Sequence, residues 1–167
     1  EYRAEKFKNT KQIINKINFN NYKEITAIFF DTYSEDNLII NKSKEELLKE
    51  INSGVLNTHE IIKEILPLLI KNRWGRIIHV GSSRALKGDA GISGYMTAKY
   101  AAVGYSKSIS KEYGKFGITS NYLSLGLFDT PLLAKVKESD VKKIIKNTDT
   151  RNIGDIQSVT NAIKFII

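Results

Sequence analysis

The stretch GRIIHVGSSRALKGDAGISGYMTAK, residues 75–99, decides the fold because it combines a strand, a loop and the start of a helix. Residues 77–80 form a short apolar run that is rich in β-branched side chains and bounded by glycines, which is typical of a buried strand. A polar, glycine-containing loop is predicted over residues 87–94, and a long helical pattern opens at Tyr95. The stretch therefore predicts a strand–loop–helix unit of an α/β fold.

Three polar side chains of this stretch are predicted to converge on one small volume. Ser82 stands just past the end of the predicted strand, and Tyr95 and Lys99 occupy positions i and i+4, which share one helix face. A nearby ammonium lowers the pKa of a phenol from about 10, which permits acid–base chemistry near neutral pH. A serine hydroxyl opposite the phenol can hold a carbonyl or alcohol oxygen. The trio therefore predicts proton transfer at a carbinol oxygen while a hydride moves between the carbinol carbon and a cofactor.

The spacing of Tyr95 and Lys99 has a second interpretation, because such pairs also occur on ordinary helix surfaces. A serine at the end of a glycine-bounded strand makes the catalytic interpretation more specific. Ser83 is an alternative to Ser82, and the register to Tyr95 favours Ser82.

Strands and helices alternate along the rest of the chain. Ser43 and Glu46 form a capping box at the start of one helix. Apolar patterns predict further helices at residues 10–17, 55–72, 95–113, 131–136, 140–146 and 156–167, and strands at residues 24–30, 77–80 and 119–125. This alternation implies a parallel sheet with helices on both faces. Ligands of such sheets bind beyond the carboxyl ends of the strands, where Asp31, Ser82 and Gly126 are predicted to lie.

The composition suits one domain, predicted to comprise residues 1–167. The chain has no cysteine, which excludes disulfides and thiolate metal sites, and its two histidines, His59 and His79, are far apart, so no metal site is predicted. No apolar run reaches the roughly 20 residues that span a bilayer. Residues 1–11 carry no apolar signal-peptide core. These observations predict a cytoplasmic protein with no membrane partner.

The net charge of +8 raises the question of a nucleic-acid partner. The lysines are dispersed along the chain and form no dense basic run. No nucleic-acid partner is therefore expected, and the basic surface either helps to attract an anionic cofactor or substrate or has no specific role.

Four stretches of the chain resemble the short-chain dehydrogenase/reductase family. They are GRIIHVGS at residues 75–82, YMTAK at residues 95–99, GITSN at residues 117–121 and GLFDTP at residues 126–131. The resemblance is good from Ile51 onwards and poor before it. It implies an α/β, Rossmann-like doubly wound parallel sheet with helices on both faces, and NAD or NADP as the cofactor.

The resemblance also implies roles for individual residues. It makes Ser82, Tyr95 and Lys99 the catalytic serine, tyrosine and lysine, it places Lys99 at the nicotinamide ribose, and it counts Tyr95 among the cofactor-binding residues. Gly126 would let the backbone approach the nicotinamide closely, and Thr130 would contact the cofactor, although it also fits a helix N-cap.

The catalytic asparagine of the family has Asn52 as its candidate in this chain, with Asn57 as the alternative. Either residue also fits a helix cap or a solvated polar position.

Other features depart from the family pattern. The glycine-rich turn that cradles the pyrophosphate is absent, because no glycine precedes Gly54. The tetrapeptide FDTY at residues 30–33 stands where the family has NNAG, and no strand follows the last predicted helix. We therefore expect the chain to be the central portion of a longer reductase, with a sheet truncated at both ends.

Two functional hypotheses follow from the sequence. The first is an NAD(P)-dependent oxidoreductase of the ketoreductase type, which interconverts an alcohol and a small-molecule or carrier-bound carbonyl with Tyr95 as the proton donor. The loop at residues 87–94 and the region 132–148 would shape its substrate site, and helices 55–72 and 95–113 would form a homodimer or homotetramer. The second is a truncated, non-catalytic relative that acts as an oligomerising interaction module.

Overall fold

The computed structural model describes residues 19–30, 33–129, 133 and 138–167. Its centre is a parallel three-stranded sheet of strands β1 (Thr26–Phe29), β2 (Gly75–Ser82) and β3 (Ile118–Leu125), in the spatial order β1-β2-β3. The helices are α1 (Lys44–Ile51), α2 (Asn57–Asn72), α3 (Ser83–Lys87), α4 (Ser93–Tyr113), α5 (Glu138–Lys146) and α6 (Ile156–Ile166). The organisation of residues 1–167 as a single domain stays a prediction.

The connection from β1 to β2 is helical almost throughout. The capping box predicted at its start is confirmed, because the Ser43 hydroxyl accepts from the Glu46 N–H and the Glu46 carboxylate accepts from the Ser43 N–H. A π-helical segment, Asn52–Leu56, then joins α1 to α2. The helix predicted to begin at residue 55 is thus the second half of a helical run from Lys44 to Asn72.

Both connecting helices cover the same face of the sheet. The strands follow one another across the sheet in chain order, and each parallel crossover is right-handed. The helices of both crossovers therefore lie on the same face of the sheet. Ile65 and Leu69 of α2 and Ile109 of α4 accordingly pack in one cluster with Ile77 of β2 and Ile118 of β3. Burial of this cluster, rather than intrinsic helix propensity, fixes α2 and α4 on the sheet.

The opposite face of the sheet meets the end of α6. Side chains alternate between faces along a strand, so Arg76 and Ile78 point away from Ile77. The Arg76 Nε donates to the Ile167 carbonyl at 3.3 Å, just past the last residue of α6, and Ile78 is fully buried. Helices therefore flank the sheet, and the predicted α/β, Rossmann-like fold is confirmed.

The strand ends form one edge of the sheet, as expected for parallel strands. Ser82 is the last residue of β2, and Gly126 directly follows β3, so both reach the predicted edge. Asp31 lies outside the described residues. The predicted loop at residues 87–94 is shorter, since α3 ends at Lys87 and α4 begins at Ser93.

The other predicted elements agree with the structure to within two residues, except where the chain is not described. The predicted helix at residues 10–17, and that at residues 131–136 apart from Leu133, lie outside the described residues. Of the helices that the structure describes, none has both the length and the apolar character needed to cross a bilayer.

His79 occupies the core between β2 and α4. Its side chain is 3% exposed, and its ring stacks on Phe29 with 5.6 Å between ring centroids and meets Tyr105 edge-on at 6.0 Å. Among the described residues, its Nε2 has no hydrogen-bond partner. Burial, with a smaller contribution from the charge of Lys99, lowers the pKa of His79 from 6.5 to about 4. The ring is therefore neutral at neutral pH.

This burial predicts a loss of stability in acid. The unfolded chain takes up a proton on His79 near pH 6.5 and the folded chain only near pH 4, so acid favours the unfolded chain. As the pH falls from 6.5 to 4, we expect the protonation of His79 in the unfolded chain to lower the free energy of unfolding by about 3 kcal/mol in total. The test is urea unfolding at a series of pH values. The free energy of unfolding should fall less on acidification in His79→Leu than in the parent. His59→Gln, at an exposed histidine, is the control and should retain the parent's loss. An equal loss in His79→Leu would contradict the prediction.

Candidate active site

Ser82, Tyr95 and Lys99 line one cavity of about 280 Å³ at the carboxyl edge of the sheet. Ser82 is brought there by the end of β2, and Tyr95 and Lys99 by the first two turns of α4. The structure thus brings together the three side chains that the spacing in the sequence predicted. Their catalytic roles stay predictions.

Lys99 is held against the backbone of β2. Its side chain is largely buried, at 7% exposure, and its Nζ donates to the Val80 carbonyl at 2.8 Å. A buried ammonium needs hydrogen-bond partners to offset the loss of water. This bond fixes the positive charge beside the end of β2, two residues before Ser82.

Ser82 has two structural tasks besides lining the cavity. It ends β2 and caps α3, because its Oγ accepts from the Arg84 N–H at 3.2 Å. A hydroxyl has one donor and two acceptor sites, so the capping bond leaves its O–H able to donate to an oxygen in the cavity. Ser83 instead begins α3 and lines a neighbouring cavity, so the geometry favours Ser82 over Ser83.

That neighbouring cavity, of about 480 Å³, adjoins the first. The two share Arg84, Gly126, Leu127, Phe128 and Ile144. A Cβ atom built on Gly126 would meet no atom within 4 Å, so the backbone of this residue borders open space. The neighbouring cavity is lined mostly by polar residues, among them Lys87, Asn147 and Asp149, and the apolar residues Leu127, Phe128 and Ile144 line both cavities.

Arg84 stands where the two cavities meet. Its Nε donates to the Asp89 carboxylate at 2.9 Å, which ties α3 to the loop before α4. This bond to the Arg84 guanidinium lowers the pKa of the Asp89 carboxyl. The pair therefore stays ionised and holds one side of the cavity mouth.

The sequence model of the short chain dehydrogenase family matches residues 8–141 of this chain. The chain belongs to the short-chain dehydrogenase family. The matched region contains strands β1, β2 and β3 and the three predicted catalytic residues that line the cavity, Ser82, Tyr95 and Lys99.

Several curated relatives carry one name, 3-oxoacyl-[acyl-carrier-protein] reductase FabG. The relative from Buchnera aphidicola is 31% identical over 132 residues, which cover 79% of this chain and 54% of the relative. The relative from Haemophilus influenzae is 29% identical over 133 residues, which cover 80% of this chain and 55% of the relative. The relative from Escherichia coli is 28% identical over 133 residues, which cover 80% of this chain and 54% of the relative. The chain spans about half the length of these curated relatives.

Asn52 of this short-chain dehydrogenase does not join the trio. Its side chain is exposed and lines a separate surface depression, together with the alternative candidate Asn57. The residue of this helical segment that faces α4 is Gly54, on which a Cβ would lie 2.8 Å from the Cβ of Ala98. Residues two positions apart on a helix do not share a face, so Asn52 points away from α4. The catalytic role of Asn52 stays a prediction that this geometry does not favour.

Thr130, which was predicted to contact the cofactor, lies outside the described residues. Gly126 reaches the predicted edge and borders the cavity. The predicted cofactor contacts of Tyr95, Lys99 and Gly126 therefore remain compatible with one binding region.

A buried ion pair behind the first turn of α4 was missed by the sequence reasoning. Glu50 is fully buried, and its Oε2 lies 2.9 Å from the Nζ of Lys42. Its Oε1 accepts from the Glu35 N–H at 3.1 Å, and the Lys42 Nζ also donates to the Glu35 carbonyl at 2.7 Å. A Cβ on Gly94 would collide with the Glu50 carboxylate. The Glu50 carboxylate thus packs directly against Gly94, the residue before Tyr95.

Tyr122 of β3 is a second residue that the sequence reasoning missed. Its hydroxyl oxygen accepts from the Ser82 N–H at 3.1 Å, and its ring covers Gly81, where a Cβ would collide with it. Burial raises the pKa of the Tyr122 phenol. The alternation of β3 side chains predicts its face, but the contact depends on the register of β2 and β3, which the sequence does not specify.

Proposed function

We propose that the protein containing this chain is an NAD(P)-dependent oxidoreductase that interconverts a carbonyl and an alcohol. The observation that carries this proposal is the convergence of Ser82, Tyr95 and Lys99 on one cavity at the carboxyl edge of a parallel sheet. Membership of the short-chain dehydrogenase family supports the same reaction class.

The residues around the cavity fit the nicotinamide half of a dinucleotide. Lys99 and Tyr95 supply polar groups suited to ribose hydroxyls, and the open space beside Gly126 leaves room for a flat ring. When bound, the nicotinamide cofactor supplies or accepts the hydride.

The chain's own residues would handle the oxygen of the substrate. In the direction of reduction, Ser82 donates a hydrogen bond to the carbonyl oxygen and so holds it beside Tyr95. The Tyr95 hydroxyl gives its proton to this oxygen as the carbonyl carbon is reduced. Lys99 lines the same cavity and contributes a positive charge to it. Oxidation of the alcohol reverses these steps.

We further propose a 3-oxoacyl thioester as the substrate class. The relatives' name states that they reduce 3-oxoacyl groups on an acyl carrier protein. In this chain, Leu127, Phe128 and Ile144 line both the cavity of the trio and the neighbouring cavity, and they offer apolar contacts to an acyl chain. The ketone would lie at Ser82 and the acyl chain would extend past Gly126. A homo-oligomeric state and a cytoplasmic location stay predictions.

The first test is a fluorescence titration of the full-length protein with NADH and NADPH, followed by an assay with a 3-oxoacyl thioester. We expect saturable binding of at least one cofactor and its oxidation when the thioester is added. Lys99→Met should weaken cofactor binding by about tenfold or more, because it removes a charged hydrogen-bond donor.

Lys107→Met is the matched control, since Lys107 is an exposed lysine of the same helix. It should bind the cofactor as the parent does. Absence of saturable binding of both cofactors by the parent would contradict the enzyme proposal and favour the non-catalytic interaction module.

A further inference from the structure

Tyr122 and Gly81 form a packed unit directly behind Ser82. Tyr122 lies opposite His79 in the register of β3 and β2, on the face covered by α4. Its ring extends diagonally along the sheet and occupies the space that any side chain at Gly81 would need. Glycine is therefore required at residue 81 as long as the Tyr122 ring has this position.

The hydroxyl of Tyr122 gives the Ser82 N–H a side-chain partner. The donor–acceptor distance of 3.1 Å lies within the normal range for an N–H···O bond. Ser82 is largely buried, so this bond offsets the loss of water around its N–H. The backbone of Ser82 is thus held from the side of β3, while its Oγ is held from the side of α3 by the Arg84 N–H.

The two bonds together define where the Ser82 hydroxyl stands. One fixes the main chain at the residue itself, and the other fixes the orientation of the side chain. Tyr122 is also close enough to Tyr95 for the two phenols to interact electrostatically, which contributes to the raised pKa of Tyr122. Tyr122 therefore stands near both the serine and the tyrosine of the proposed mechanism.

We propose that Tyr122 is a positioning residue, whose hydroxyl and ring fix Ser82 relative to Tyr95. This inference rests on the proposed function, because it assigns Tyr122 a part in the same reaction. Tyr122 does not line the cavity of the trio, so it acts through Ser82 and not on the substrate.

Tyr122→Phe in the full-length protein tests this role, because it removes one oxygen atom and keeps the ring over Gly81. We expect kcat to fall by about tenfold or more, the effect of leaving one buried donor unsatisfied and the serine misplaced. Cofactor affinity should stay within about twofold of the parent's, a shift too small to indicate a lost hydrogen bond. Tyr105→Phe is the matched control: it also removes a phenol oxygen that forms one hydrogen bond, to the Nδ1 of His59 at 2.6 Å. It should leave kcat near that of the parent.

The decisive comparison repeats Tyr122→Phe in a Ser82→Ala background. If Tyr122 acts by positioning the serine hydroxyl, its loss should change kcat little once that hydroxyl is gone. Equal losses in both backgrounds would show a merely structural effect and overturn the proposal, as would an unchanged kcat in Tyr122→Phe alone. A parent protein without turnover would instead overturn the proposed function, and the positioning of Ser82 would then be judged from its amide exchange alone.

A second measurement needs no turnover. The Ser82 amide should exchange its hydrogen faster in Tyr122→Phe than in the parent, because its hydrogen-bond acceptor is gone. The same amide should be unaffected in Tyr105→Phe. An unchanged exchange rate at Ser82 in Tyr122→Phe would overturn the positioning role whatever the activity of the protein.

Discussion

Tyr95→Phe in the full-length protein is expected to lower kcat by about 10²–10⁴-fold, the usual contribution of a positioned general acid. The change removes only the hydroxyl that would protonate the substrate oxygen. The Tyr95 ring remains in the cavity with Ser82 and Lys99. The free energy of unfolding should therefore stay close to that of the parent. The measurement is steady-state turnover of a 3-oxoacyl thioester, combined with urea unfolding of the same samples.

Tyr100→Phe supplies the control for this prediction. Tyr100 lies on the same helix, and its side chain is 58% exposed, away from the cavity residues. It should retain the turnover of the parent. Turnover of Tyr95→Phe within a few fold of the parent would show that the proton comes from another group, and the mechanism would have to be abandoned.

Lys42→Met is expected to cost about 3–5 kcal/mol of the free energy of unfolding. It leaves the Glu50 carboxylate buried without its cation, and an unpaired buried charge is strongly destabilising. Because Glu50 packs against Gly94, the first turn of α4 should loosen as well. Urea or thermal unfolding monitored by circular dichroism measures the effect.

Two further variants make this second prediction specific to the ion pair. Lys49→Met removes an exposed lysine from α1 and should change stability by less than about 0.5 kcal/mol. The double variant Lys42→Met with Glu50→Gln removes both charges and should recover much of the loss, because no uncompensated charge remains. A stability of Lys42→Met close to that of Lys49→Met would show that the buried pair does not contribute to folding.

The parts of the fold that were predictable share one property: they depend on local pattern. The apolar run at residues 77–80 identified β2, and the i and i+4 spacing placed Tyr95 and Lys99 on one side of α4. The position of Ser82 followed from the end of the strand. These features need only the periodicity of a strand or helix and the rule that parallel strands share a carboxyl edge.

The parts that were not predictable depend on contacts between distant segments. Asn52 was the sequence candidate for the catalytic asparagine, with Asn57 as the alternative, but the approach of Gly54 to Ala98 in the π-helical segment leaves the Asn52 side chain pointing away from α4. Glu50 stands in a run of charged residues that indicates a solvated face, and its burial depends on Lys42 and the backbone of Glu35. No local pattern carries that information.

The bond between Lys99 and the Val80 carbonyl has a consequence for how this site can change during evolution. The acceptor belongs to the main chain, so every amino acid at residue 80 would present the same oxygen to the ammonium. Drift at this position can alter the wall of the cavity, and with it the choice of substrate, while the anchor of the lysine is inherited unchanged. The side chain of residue 80 can therefore change with the substrate, while the carbonyl of the same residue continues to hold Lys99.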